Sequence, residues 1–137
     1  LLIGKVGTVN EPEWDVTLPL EDEFLLNLVK AKSALADIDN MIITTELDEN
    51  QTMMCKFTFG DEAGHNNKIT YQMYGEINDA NIKIPFNSNM FRTILNANKD
   101  LDSGTLRISS KGLMKLDFVS GDIESEYYMI RKENTSF

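Results

Sequence analysis

Hydrophobic side chains in this chain keep two rhythms, a period of two and a helical spacing, and the rhythms succeed one another in the same order twice. In the first pass Trp14, Val16, Leu18 and Leu20 alternate with Glu13, Asp15 and Thr17, the signature of a half-buried strand that Pro19 should end or mark as an edge. Glu21, Asp22 and Glu23 then supply the negative charge that favours a helix start, and Phe24, Leu25, Leu28, Ala31 and Leu35 recur on one helical face. Three alternating segments follow, Asn40 to Leu47, Thr52 to Phe59 and Lys68 to Ile77, separated by the turn-rich strings DENQ and GDEAGHNN. Such alternation suits antiparallel strands with one solvated face.

The second pass is a shorter version of the first. Ile82, Ile84 and Phe86 alternate with polar residues, Asn87 or Ser88 can cap a helix ending near Lys99, and Met90, Phe91, Ile94 and Ala97 turn toward the core. GTLRISS, LMKLDFVS and IESEYYMIRK supply three more strands, joined at Ser110-Lys111-Gly112 and near Ser120-Gly121-Asp122. Two helices and about eight strands in this order predict an α+β domain with its helices on one face of antiparallel sheet. Its half-units run over 13–77 and 81–132, between an N-terminal segment 1–12 and a C-terminal tail 133–137.

Composition and charge refine the picture. A length of 137 residues and 42% hydrophobic content suffice for one domain. One cysteine, Cys55, excludes an intramolecular disulfide and fits a reducing compartment, and no apolar run approaches the roughly 18 residues of a spanning helix. A soluble cytoplasmic protein is expected. The formal net charge of −9 opposes a nucleic-acid partner if it is evenly spread, but the helices are charged differently. At 100° per residue, Arg92, Thr93, Asn96 and Lys99 fall opposite the apolar stripe of the second helix with no acid among them. On the first helix Asn27, Lys30, Ser33 and Ala34 point away from the core, with Lys32 near the border. The plainer account is that bases late in a helix complement its dipole and keep a surface soluble.

The repeated strand–helix–three-strand order, the hairpin LRISSKGLMKLDF and the closing SEYYMIRK resemble the C-terminal domain of DNA sliding clamps, most closely those of tailed bacteriophages, from about Trp14 onward. The resemblance implies the DNA clamp fold and a non-catalytic processivity factor. Clamp subunits would close a ring around duplex DNA, helices lining the channel and sheets outside, and tether a DNA polymerase placed by a clamp loader. A viral clamp would act in the cytoplasm of a bacterial host. Lys30, Lys32, Arg92, Asn96 and Lys99 would then face the phosphates through contacts that carry position and not sequence. Leu113, Tyr128, Met129, Ile130 and Arg131 fall where such clamps receive the apolar peptide of a partner, although strand alternation alone also asks for apolar residues there. A phage clamp subunit usually has two domains of this type, so 1–12 is expected to be a remnant of the connecting segment. The competing reading is an acidic α+β protein-interaction module with no role on DNA.

Catalysis has thin support. Cys55 and His65 are the only Cys and His, and no third group that would orient them is evident. Among the acidic turn residues Asp48, Glu49, Asp61 and Glu62, carboxylate pairs for a hard cation or acid–base work exist in principle, but the spacing matches no calcium loop and turn acids are usually just solvated. No phosphate-binding glycine motif or metal-type Cys/His cluster occurs, and no cofactor is implied. The seven methionines are scattered through expected strands and one helix, which fits core filling.

Overall fold

A computed structural model describes residues 2–3, 12–21, 23, 26–27, 30, 40–60, 69–98 and 103–132. Its strands are β1 Leu2–Ile3, β2 Val16–Pro19, β3 Asn40–Leu47, β4 Met53–Phe59, β5 Ile69–Met73, β6 Glu76–Ile77, β7 Lys83–Asn87, β8 Ser103–Ser109, β9 Leu113–Ser120 and β10 Ile123–Ile130. One helix, Ser88–Ala97, is described throughout, and Glu23, Leu26, Asn27 and Lys30 are helical in the region of the other expected helix. The protein is α+β, but its strands form two sheets where the sequence reading placed one: β1-β10-β9-β8-β2-β6 and β5-β4-β3-β7. Every pairing is antiparallel.

The order of strands makes the repeat physical. Each half-unit builds a three-stranded meander, β3-β4-β5 or β8-β9-β10, and the opening strand of each half-unit joins the meander of the other. Strand β2 lies against β8, pairing Val16 with Ile108 and Leu18 with Leu106, and β7 lies against β3, pairing Ile84 with Ile43 and Phe86 with Met41. The free side of each opening strand is then met by the end of its own half-unit. Strand β6 pairs with β2, and the Lys132 amide donates to the Pro85 carbonyl on β7 at 2.9 Å. The half-units are therefore interlocked, and one hydrophobic core runs through both sheets and the helix. Met41, Ile43, Cys55, Phe57, Ile84 and Phe86 come from the smaller sheet, and Val16, Leu18, Leu106, Ile108, Met114 and Leu116 from the larger.

One sequence expectation changes at the edge of this scheme. The segment Lys68 to Ile77, expected to be one strand, is β5 in one sheet and β6 in the other, with Tyr74 and Gly75 at the crossing. The expected connector remnant contributes a short edge strand, since Leu2 pairs with Tyr128 and Ile3 with Tyr127. The tail 133–137 lies outside the described residues.

Local chemistry accounts for the ends of the elements. Asn87 caps the helix, its Oδ1 accepting the Met90 amide at 2.9 Å, while Ser88 is buried as the first helical residue. Phe91, Ile94 and Leu95 form the buried stripe and Met90 packs at its margin, whereas Ala97, expected inside, is exposed. The ring of Phe91 stacks on that of Phe57 in the middle of β4, with centroids 6.1 Å apart. Gly112 (φ 96°) and Gly121 (φ 61°) take the left-handed conformations that the two expected hairpin turns require. Pro19 ends β2 beyond the stretch paired with β6, where its missing N–H costs the ladder nothing on that side.

Candidate functional site

The helix Ser88–Ala97 turns Asn89, Arg92, Thr93 and Ala97 to solvent and holds Asn96 half-buried. Its ten residues contain no acid and a single charge, Arg92. Thr93 hydroxyl donates to the Asn89 carbonyl at 2.9 Å, and the Asn98 side-chain amide donates to the Ile94 carbonyl at 2.8 Å, closing the helix end. Lys30 is helical and exposed. Lys32 and Lys99, the other two residues expected to face phosphates, lie outside the described residues, so the described part of this candidate surface consists of Lys30, Arg92 and Asn96. The arrangement can offer an anion a base and amides without an acid on the same helix.

The second candidate surface lies on the outer face of the six-stranded sheet. Strand parity divides the five expected peptide-binding residues. Met129 pairs with Met114 and points into the core, 1% exposed, so it is a packing residue of this fold. Tyr128, Ile130 and Leu113 belong to the opposite face, with Ile130 directly across from Leu113. Ile130 is 57% exposed and Leu113 half-buried. Tyr128 is 6% exposed although it stands outside the core cluster: the Lys115 ammonium sits 5.6 Å from its ring centroid, and β1 pairs alongside. Arg131 is exposed, its amide donates to the Gly112 carbonyl at 2.8 Å, and its side chain runs across the Gly112 backbone, where a Cβ would lie 2.5 Å from Arg131 Cδ.

An ion-pair network behind this patch escaped sequence reasoning. Arg107 Nη1 donates to Asp117 Oδ2 at 2.5 Å, and Lys115 lies 3.6 Å from Glu126 Oε1 and 4.0 Å from Asp117 Oδ1. Burial pushes the Asp117 carboxyl up from its ordinary value, against the opposing pull of Lys115 and Arg107. The alternating Lys and Asp in LMKLDF are the only sequence signal for it, since the partners arrive through the registers Arg107 to Lys115 and Glu126 to Asp117.

Of the candidate catalytic groups, the structure describes Cys55 and Asp48. Cys55 points into the core from β4, and burial pushes its thiol up to about 12, which keeps it protonated and removes it as a nucleophile near neutral pH. His65, Asp61 and Glu62 lie outside the described residues. Asp48 is committed to its own turn, where Oδ1 accepts the Asn50 and Thr52 amides at 2.8 and 2.9 Å. Among the described residues no group of three or more metal-ligating side chains comes together, and no helix is long and apolar enough to cross a membrane. No protein-family model matches the chain, and no curated protein matches it.

Proposed function

We propose that this chain is a domain of a DNA sliding clamp, a non-catalytic part of a ring that encircles duplex DNA and tethers a DNA polymerase. One observation carries the reading: two half-units, each an opening strand and a three-stranded meander, interlock reciprocally, each opening strand completing the other unit's sheet. A scaffold of that kind is rigid and repetitive and leaves a helix face outward. The resemblance noted in the sequence assigns that face to the DNA channel and the sheets to the outside.

Charge fits this division. A clamp must slide, so its channel needs weak, sequence-independent attraction to phosphates, and the chain's overall charge of −9 discourages other contacts with DNA. Lys30, Arg92 and Asn96, with Lys32 and Lys99, are the groups assigned to the channel. The exposed Ile130, with Leu113 and Arg131, forms the surface assigned to the polymerase or loader peptide; Tyr128 lies beside it on the same face. Further clamp subunits would complete the ring through interfaces between unlike ends.

Charge reversal at Arg92 tests the channel assignment. Arg92 is exposed and lies outside the core, so Arg92→Glu should change unfolding free energy by no more than about 0.5 kcal/mol. In the protein that carries this chain it is expected to shorten the products of primer extension made with the cognate polymerase and loader. Unchanged product length with intact folding would remove Arg92 from the channel.

A further inference from the structure

The end of the four-stranded sheet carries a feature that the clamp reading does not use. A depression of about 410 Å³ opens there between the β3–β4 turn and the end of β5. Leu47 and Tyr74, 46% and 51% exposed, line it together with Met54, 7% exposed. Exposed large apolar side chains are common singly; two facing one concavity are the beginning of a binding surface.

Its walls are already set. Tyr74 hydroxyl donates to Asp48 Oδ2 at 2.9 Å, while Asp48 Oδ1 holds the Asn50 and Thr52 amides, so ring and turn are joined through one carboxylate. The Thr52 amide, helped by Tyr74, keeps the Asp48 carboxyl below its ordinary value and therefore ionised. A tyrosine fixed in this way presents its face to an incoming group without paying to order itself on binding.

The lining also has a sign. Asp48 and Glu49 border the depression and, among the described residues, no Lys or Arg does, while Lys56 on β4 is paired with Glu46. Anionic ligands, nucleic acid included, are disfavoured. An apolar group beside a cation is complementary: the apolar part against Leu47 and Met54, the cation between Glu49 and the face of Tyr74. We propose that this depression docks a short segment of a partner protein in which an apolar side chain is followed directly by a lysine or arginine. The site lies on different strands from the Leu113–Ile130 patch and does not depend on the clamp reading.

The test uses the isotope-labelled chain and two capped dipeptides, acetyl-Leu-Arg-amide and acetyl-Leu-Glu-amide, followed by NMR at the Asn50, Thr52, Gln72 and Tyr74 amides. The Leu-Arg probe is expected to give saturable shifts at these amides and the Leu-Glu probe none. Leu47→Ser and Glu49→Gln, both on exposed side chains, should each weaken the Leu-Arg probe at least about fivefold. Shifts that never saturate, that are equal for both probes, or that survive both substitutions unchanged would overturn the assignment.

Discussion

Replacing Phe57 by alanine is expected to cost roughly 3–5 kcal/mol, a large share of the 5–15 kcal/mol that holds a domain of this kind together. Phe57 is fully buried at the centre of β4, paired with Ile43 on one side and Tyr71 on the other. Its ring is also the surface on which Phe91 seats the helix, so truncation opens a void beneath the helix as well as within the sheet. Flanking strands are held by backbone ladders and can collapse only slightly into such a void, which places the cost toward the upper part of the range. Thermal unfolding should show a melting temperature lower by on the order of 10 °C or more. A drop of only about 2 °C would mean that the helix is not anchored on β4.

The second large effect is expected at Gly75. A Cβ there would lie 2.6 Å from the Thr17 carbonyl oxygen and 2.7 Å from Leu18 Cδ2, so either β2 or the segment that carries Gly75 would have to move. Strand β6 is held to β2 by only two residue pairs, Val16 with Ile77 and Thr17 with Glu76, and gives way before β2 does, since β2 is also anchored on β8. Gly75→Ala should therefore destabilise by about 1–3 kcal/mol through overpacking. Hydrogen exchange should localise the damage, with protection lost at the β2–β6 pairing and kept in β3 and β4. Wild-type stability would contradict the close approach on which the link between the sheets rests.

That same glycine shows where the sequence stopped being legible. Ile69, Tyr71 and Met73 pack against the core from β5, and Ile77 is buried from β6, so the alternation keeps phase through the change of sheet. Periodicity reports which side of a strand is buried and says nothing about which sheet the strand belongs to. Gly75, occupying an inward position where a side chain was due, was the one local sign of the crossing. Strands β3, β4 and β9 were readable because alternation and flanking turns agree, and the turns at Gly112 and Gly121 because few other residues accept their backbone angles. The helix stripe was misread by a fraction of a turn, with Leu95 inside and Ala97 outside.

The candidate surfaces were legible to a different degree. Arg92 and Thr93 are exposed as helical geometry required, because the position of Phe91 and Ile94 fixes the opposite side. Parity alone separates Met129 from Tyr128 and Ile130. The near-complete burial of Tyr128 was not readable, because it depends on Lys115 arriving from β9 and on β1 arriving from the other end of the chain. The Asp48–Tyr74 hydrogen bond likewise spans 26 residues and has no local pattern.

The clamp proposal makes a topological claim, which sets it apart from ordinary DNA affinity. The measurement that tests it most directly assembles the protein that carries this chain on a nicked DNA circle and passes the mixture through gel filtration in high salt, where phosphate contacts alone are lost. A clamp is expected to stay with the circle and to leave it after one cut makes the DNA linear. Absence from the circle, or equal retention on circular and linear DNA, would contradict the account.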